Sequence, residues 1–236
     1  MQRAPLLFSY LQTRVDQDLR PGSFILTGSQ QFGLLSGISQ TLAGRAGLVQ
    51  LLNLSTLASD CGISHHTAAA WLSVLEASYI VFLLRPHFQN FNKRLVKTPK
   101  LYFCDTGLAS WLLGIRAAEQ LAFHAQRGAL FENLVVAEFL KARSHQGQAP
   151  DLFFWRDSQG LEVDLLAERG GELRPLEIKS GQTIAADFCQ GLNRWRDLAH
   201  QSAAPAWLIY GGDQPFRSGT VEVIPWAGLP ELACRL

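Results

Sequence analysis

The feature that most constrains the fold of this sequence is a pair of charged motifs on two consecutive stretches of strand pattern. Glu162–Asp164 is followed, thirteen residues after Asp164, by Glu177–Lys179. Residues 161–168 alternate apolar and polar side chains, the Arg-Gly-Gly at 169–171 supplies a turn, and 173–179 resumes the extended pattern. The sequence therefore predicts a β-hairpin that carries one motif on each strand.

Strand geometry then brings three charged side chains together. Side chains two residues apart lie on the same face, so Glu177 and Lys179 share a face and Asp164 can lie opposite them on the preceding strand. Two carboxylates and one ammonium are a set that can hold a hard divalent cation against a phosphate. The alternative interpretation of the same spacing is that these are solvent-facing strand charges.

A further carboxylate lies on a predicted amphipathic helix over 128–142. One helical stripe contains Glu132, Val135, Val136 and Phe139, whereas Glu138 is expected to face solvent. A carboxylate within an apolar stripe is costly to bury unless it binds a metal or a hydrogen-bond donor. Glu132 is therefore a candidate site residue, and the alternative is an edge residue whose carboxylate reaches water.

Composition excludes several classes of protein. The chain has 236 residues, of which 47% are hydrophobic and 17% charged, and its formal net charge is +1. Any nucleic-acid contact must then come from a local basic patch. No apolar run reaches transmembrane length and no signal-peptide pattern opens the sequence, so no membrane association is expected. The cysteines lie far apart without a C-x-x-C motif, which indicates free thiols and a cytoplasmic protein.

Residues 51–118 are predicted to form a winged-helix domain. Helices over 54–61 and 67–77, joined by the turn at 62–64, have the pattern of a helix-turn-helix, and two strand-like runs at 79–84 and 101–104 follow. The second helix carries no Arg or Lys between Ser64 and Glu76, so sequence-specific DNA reading by this helix is not expected. A packing or protein-contact role is the alternative.

The segment that joins the two strand-like runs is basic. It carries four cations in eight residues, namely Lys93, Arg94, Lys97 and Lys100. Such a segment can bind the phosphates of a nucleic acid, and a solvated loop is the alternative interpretation.

Residues 119–236 are predicted to form the last domain, with the order α-β-β-β-α-β and a final strand. The predicted strands cover 152–155, 161–167, 173–179, 206–210 and 221–224, and a helix covers about 185–198. The fold class is α/β (α+β), with a mixed sheet flanked by helices.

This order, with the acid on the second strand and E-x-K on the third, resembles the PD-(D/E)xK nuclease fold. From about residue 54 onward the chain is similar to a C-terminal domain of unknown function that follows an AAA-type ATPase module in many bacterial and archaeal proteins. The residues that carry this resemblance are Leu57-Ala58, Gly62–Ser64, Trp71–Ala77, Lys93–Phe103, Asp105–Leu108, Phe131–Asn133, Trp155-Arg156, Glu162–Asp164 and Glu177–Gly181.

The resemblance implies a magnesium-dependent nuclease-like activity on DNA. Asp164 and Glu177 would be the direct Mg²⁺ ligands, and Glu132 would be a further ligand or a base. Lys179 would orient the water or stabilise the charge of the transition state. The basic segment with Lys93, Arg94, Lys97 and Lys100 would hold the DNA backbone.

Residues 1–50 resemble the C-terminal remnant of the ATPase module. No G-x-x-x-x-G-K-[ST] phosphate loop is present, so ATP binding by this chain alone is not expected. The helical stretch that the family usually has between Ala46 and Leu54 is missing, which gives the chain the appearance of a truncated relative. The expected partners are therefore DNA and either an intact ATPase subunit or further copies of this chain.

Two other functions fit the same residues. The chain can be a non-catalytic module of a regulatory ATPase that binds nucleic acid or protein, because a fold does not fix a function. It can also be a non-functional fragment, because a single short apolar strand, predicted at 24–26, cannot form a sheet without partner strands, which this chain is not expected to supply.

Overall fold

A computed structural model describes residues 51–88, 95–185, 188–202 and 204–236 of the chain. The predicted ATPase remnant at 1–50 lies outside these described residues, as do Lys93 and Arg94 of the basic segment. None of the described helices is long and apolar enough to span a bilayer.

The described residues form a mixed α/β fold, which confirms the predicted fold class. Its helices are α1 (Leu54–Cys61), α2 (His65–Ala77), α3 (Thr106–Leu112), α4 (Ala118–Ala122), α5 (Arg127–His145), α6 (Gln190–Leu198) and α7 (Leu229–Arg235), with a 3₁₀ turn at Trp226–Gly228. Its strands are β1 (Val81–Pro86), β2 (Lys100–Phe103), β3 (Leu152–Arg156), β4 (Glu162–Arg169), β5 (Glu172–Lys179), β6 (Ala206–Tyr210), β7 (Phe216–Ser218) and β8 (Val221–Pro225).

Local sequence explains the first two described helices. The Asn53 side chain accepts a hydrogen bond from the Thr56 backbone N–H and begins α1. Gly62 ends it in the left-handed region at φ 66°, a conformation that glycine adopts without steric cost. Ser64 then caps α2 through the Thr67 N–H, so the turn between the helices is only a few residues long.

All eight strands belong to one sheet, in the order β2-β1-β3-β4-β5-β6-β8-β7. Strands β1 and β2 pair antiparallel, as the predicted wing requires, but β1 also pairs in parallel with β3. The predicted boundary after residue 118 therefore does not separate two sheets. This continuity places the start of β2 on the same surface as the α5 helix and the central strands.

Two apolar layers cover the sheet. Helices α5 and α7 pack on one face, where Val136 and Phe139 meet Leu165, Leu176 and other central-strand residues. Helix α6 packs on the opposite face, where its buried side chains meet a second set that comprises Trp155, Val163, Leu166 and Leu208 among others. The functional residues described below lie between these layers, at the end of the β4–β5 pairing.

Candidate functional site

A one-residue slip in strand β4 positions its two acidic side chains. Phe153 pairs with Leu166 and Trp155 pairs with Val163. The two pairs are therefore two residues apart on β3 but three residues apart on β4. Such a bulge re-aims the side chains on one strand, and bulges are common beside functional sites. Val163 packs toward α6. Because strand side chains alternate, the residues on either side of Val163, Glu162 and Asp164, lie on the α5 face.

The pairing of β4 with β5 ends at Leu165 and Leu176, directly before these acidic residues. Beyond that pair β5 continues alongside β6 instead. Asp164 lies at the end of the ladder, where one of its carboxylate oxygens accepts a hydrogen bond from the Ile178 backbone N–H at 2.8 Å. The predicted juxtaposition of Asp164 with the E-x-K strand thus occurs through the backbone of that strand.

The first group of site residues is the Lys100 cluster, which consists of Lys100, Tyr102, Glu132 and Glu162. Lys100 Nζ lies 2.9 Å from Glu132 Oε1 and also forms an ion pair with Glu162. The Tyr102 hydroxyl donates to the same Glu132 oxygen at 2.7 Å. Arg156 pairs with the second oxygen of Glu162 at 2.9 Å. Each carboxylate of this cluster therefore has a cationic partner.

Both hydrogen-bond donors of the Lys100 cluster hold their protons at neutral pH. Burial opposes the charge of Lys100, but the carboxylates of Glu132, Asp164 and Glu162 outweigh it and raise the pKa of Lys100. Burial, reinforced by Glu132, raises the pKa of Tyr102 well above its usual value. Glu132 therefore receives two strong donors on one oxygen.

The second group is the Asp164 cluster, which consists of Asp164, Glu177 and Lys179. Lys179 Nζ lies 2.5 Å from Glu177 Oε1. Glu177 is only 8% exposed, and its other oxygen, Oε2, has no hydrogen-bond partner among the described residues. A buried carboxylate oxygen without a donor is unusual, because it has lost its water without gaining a replacement.

The charges of the Asp164 cluster are strongly coupled. Burial raises the pKa of Asp164, and the neighbouring carboxylates of Glu177 and Glu132 raise it further. Burial also raises the pKa of Glu177, although Lys179 opposes this effect. For Lys179, burial opposes the charge, but Asp164 and Glu177 outweigh it and raise the pKa. The Lys179 ammonium is thus a cation and not a general base at neutral pH.

An open groove of about 620 Å³ lies on the α6 side of Glu177. Gly191 of α6 lies against it, and a methyl group at Gly191 would come within 3.9 Å of Glu177 Oε2 and 3.5 Å of the Glu162 carbonyl oxygen. The exposed Arg194 lines the same groove, together with Asp157, Gln159 and Gln190. The groove therefore offers room and a cation for a polar, anionic ligand beside the carboxylates.

The structure separates the two described residues of the predicted basic segment, Lys97 and Lys100. Lys97 is exposed, which fits both the predicted phosphate contact and the alternative of a solvated loop. Placing Lys100 in that exposed segment was wrong, since Lys100 opens strand β2, is 4% exposed and binds two carboxylates. The physical reason is that side chains alternate along β2 and the phase of Lys100 points it toward α5. Glu138 pairs with Lys141 in a partly exposed position, which agrees with its predicted solvent-facing role.

The sequence did not predict the contacts that three site residues make in the Lys100 cluster, namely Lys100, Tyr102 and Glu162. A signal was present, since Lys100 and Tyr102 are two apart on one strand, as are Glu162 and Asp164, and each such pair shares a face. Nothing local indicated that these two faces meet.

Asn133 fixes the position of the neighbouring Glu132. Its side chain is fully buried, accepts from the Phe103 N–H at 2.7 Å and donates to the Phe103 carbonyl at 2.9 Å. It also donates to Thr106 Oγ1 at 3.1 Å. These bonds tie α5 to the end of β2, and they hold Glu132 against Lys100 and Tyr102.

The chemistry of the Asp164 cluster fits a hard divalent cation. The unpartnered Glu177 oxygen and the remaining oxygen of Asp164 are donors of the kind that Mg²⁺ prefers. Among the described ranges no group of three His, Cys, Asp or Glu side chains is arranged to hold a metal ion. Glu132 and Glu162 are engaged by Lys100, which is consistent with that result.

Comparisons with known proteins place the chain in a family. A model described as a domain of unknown function (DUF8612) matches residues 2–119, half of the 236-residue chain. The chain belongs to this family. A second model, also described as a domain of unknown function (DUF4143), matches residues 127–229, which include Glu132, Asp164, Glu177 and Lys179. The DUF8612 match includes Lys100 and Tyr102, so the site draws residues from both matched regions.

Two curated relatives of this DUF8612 protein are mycobacterial. Uncharacterized protein Mb2031c of Mycobacterium bovis and uncharacterized protein Rv2008c of Mycobacterium tuberculosis are each 26% identical over 302 residues, which cover 95% of this chain. The chain spans 66% of the length of each. The aligned stretch is longer than the chain, so the relatives contain residues that this chain lacks. Among solved structures, protein VC1899 from Vibrio cholerae matches with a TM-score of 0.35 and 16% identity, over 86% of this chain and 49% of that protein.

Proposed function

We propose that this protein hydrolyses phosphodiester bonds in DNA with the help of Mg²⁺ bound at the Asp164 cluster. The observation that carries the proposal is the buried Glu177 oxygen that lacks a donor, next to Asp164 and beside a groove that is open to solvent. A divalent cation would supply the missing partner of that oxygen. It would also offset the repulsion between the two carboxylates.

The protein's own residues would divide the work as follows. Asp164 and Glu177 would hold the cation, which would polarise the phosphoryl group and lower the pKa of a bound water. The backbone N–H of Ile178 would keep Asp164 in place through its hydrogen bond of 2.8 Å. Lys179, which is cationic and 34% exposed, would neutralise charge that develops on the phosphate oxygens.

Glu132 would have a supporting role in this proposal. Its Oε1 already accepts from Lys100 and Tyr102, so this oxygen is not available to take a proton from water. Arg194 in the groove and the exposed Lys97 would contact the phosphate backbone. The preferred substrate would be DNA, bound without sequence readout by α2.

The decisive experiment is cleavage of DNA by the full chain with Mg²⁺ and with EDTA. Substrates would include single-stranded, double-stranded and branched DNA. Asp164→Asn and Glu177→Gln keep the shape of each side chain but remove its charge, and we expect each to abolish Mg²⁺-dependent cleavage. Glu138→Gln, at the surface pair with Lys141, is the matched control and should cleave normally. Equal cleavage by all four proteins would refute the assignment.

A non-catalytic DNA-binding module is the second candidate. It is favoured by the engagement of Glu132 and Glu162 with Lys100 and by the lack of a three-ligand metal group among the described residues. DUF4143 domains commonly occur with AAA ATPases, so an ATPase subunit is the expected partner in either case. DNA binding that is independent of Mg²⁺, without any cleavage product, would support this candidate.

A further inference from the structure

The Lys100 ammonium lies between the carboxylates of Glu132 and Glu162. It contacts both carboxylates at once. Burial raises the pKa of Asp164 and of Glu177, and the Glu132 carboxylate is near enough to raise both pKa values further. The positive charges of Lys100 and Lys179 oppose the rise that burial causes in the pKa of Asp164.

The surroundings of Lys100 hold its ammonium in this position. The residue lies at the start of strand β2 and is 4% exposed, and its Nζ lies 5.4 Å from the centroid of the Phe154 ring. Its backbone is fixed by the pairing of β2 with β1, where Lys100 is opposite Leu84. Burial of the stem and the two ion pairs therefore hold the ammonium between the two carboxylates.

The charges of the two clusters also limit how many cations the site accepts. Four carboxylates (Glu132, Glu162, Asp164 and Glu177) face three cationic side chains (Lys100, Arg156 and Lys179). One divalent ion changes the net charge of this set from slightly negative to slightly positive. A second divalent ion would leave a large uncompensated positive charge in a partly buried space. Removal of Lys100 would free two oxygen ligands and lower the net charge by one, so that the site with one ion is neutral and a second ion meets less positive charge.

We propose that Lys100 is a built-in cation that replaces a second metal ion and restricts this site to a single divalent cation. This inference rests on the proposed metal site for the first ion, but it makes a separate statement about Glu132 and Glu162. It predicts that these two carboxylates bind a cation of their own as soon as the ammonium is removed.

The test counts bound Mn²⁺ per full-length chain, by electron paramagnetic resonance of the free ion. We expect one ion for the natural protein and two for Lys100→Met. Lys141→Met, which removes an exposed lysine from a surface ion pair, is the matched control and should bind one. The double variant with Lys100→Met and Glu132→Gln removes one freed ligand, and its count should return to one. Circular dichroism would establish that each variant is folded.

The possible counts separate the two proposals. One ion in both the natural protein and a folded Lys100→Met variant would overturn the role of Lys100 and leave the Asp164 metal site intact. Two ions in the natural protein would also overturn it. No ion in the natural protein but one in Lys100→Met would support the role of Lys100 and remove the proposed metal site. No ion in either protein would refute both. If Lys100→Met does not fold, Lys100→Gln provides the same count with a neutral side chain that can still donate to one carboxylate.

Discussion

The carboxylate of Asp164 accepts a hydrogen bond of 2.8 Å from the backbone N–H of Ile178, at the point where strands β4 and β5 stop pairing. A side chain thus replaces a strand as the partner of that backbone group. This arrangement brings the Asp164 carboxylate beside Glu177. Burial raises the pKa of Asp164, and the charge of Glu177 raises it further.

Replacing Asp164 by Asn should therefore stabilise the cation-free protein at neutral pH. A raised folded-state pKa means that the folded protein holds a proton more tightly than the unfolded chain. The stability contributed by that proton is fully present below the unfolded-state pKa of 3.8, and it is lost as the pH rises through the folded-state pKa. In EDTA, Asp164→Asn should exceed the natural protein in free energy of unfolding by more than about 0.5 kcal/mol at pH 7.

This advantage should shrink as the pH falls and should disappear below 3.8, where the carboxyl group is neutral in both the folded and the unfolded state. Urea unfolding at several pH values measures the difference. Asp164→Ala is the informative comparison, because it also removes the acceptor for Ile178 N–H and should be less stable than Asp164→Asn by about 1–3 kcal/mol. An advantage of Asp164→Asn that does not depend on pH would contradict the assigned cause.

Lys179 should be required for cleavage but not for binding of the cation. Lys179→Met removes the ammonium that lies 2.5 Å from Glu177 Oε1, and it leaves both carboxylates in place. Loss of one positioned cation typically lowers turnover by about 10²-fold or more. We expect a drop of that size in single-turnover DNA cleavage, with Mn²⁺ binding kept or strengthened. Lys141→Met, at a surface ion pair, serves as the control.

The strands and helices of this chain were largely predictable because their signals are local. Gly62 ends α1 where a left-handed residue is needed, and the Gly170-Gly171 turn joins the two strands that carry the acidic motifs. Helix α7 was missed because it is short and its buried residues, such as Leu232, are stabilised by contacts with α5 and not by a periodic pattern of their own.

The composition of the site was less predictable because it depends on contacts between distant segments. Lys100 and Glu132 are far apart in the sequence, and they meet only because β2 joins the main sheet beside α5. The bulge in β4 shifts the strand register by a single residue. The alternating pattern does not reveal this shift, because Leu165 and Leu166 are consecutive apolar residues within it. Asp164, Glu177 and Lys179 were within reach of sequence reasoning because they lie on adjacent strands.

Lys97 should contribute to DNA binding through charge alone. It is exposed, in contrast to the buried Lys100 three residues later. If Lys97 contacts one phosphate, Lys97→Met should weaken binding similarly for all sequences and reduce the slope of log K against log salt by about 0.9 for duplex DNA. Fluorescence anisotropy at several salt concentrations measures that slope. An unchanged slope would support the alternative interpretation of this segment as a solvated loop.

Asn133 should be among the most sensitive positions of the described fold. Asn133→Ala removes a fully buried amide that bonds to both backbone groups of Phe103, and the substitution leaves those groups without their partners. Each unsatisfied buried group costs about 1–3 kcal/mol, so we expect a loss of about 2–5 kcal/mol in the free energy of unfolding. Ser73→Ala removes an exposed hydrogen bond to the Ala69 carbonyl, and it should change stability by less than about 0.5 kcal/mol. Equal effects of the two substitutions in urea unfolding would mean that Asn133 does not hold α5 against β2.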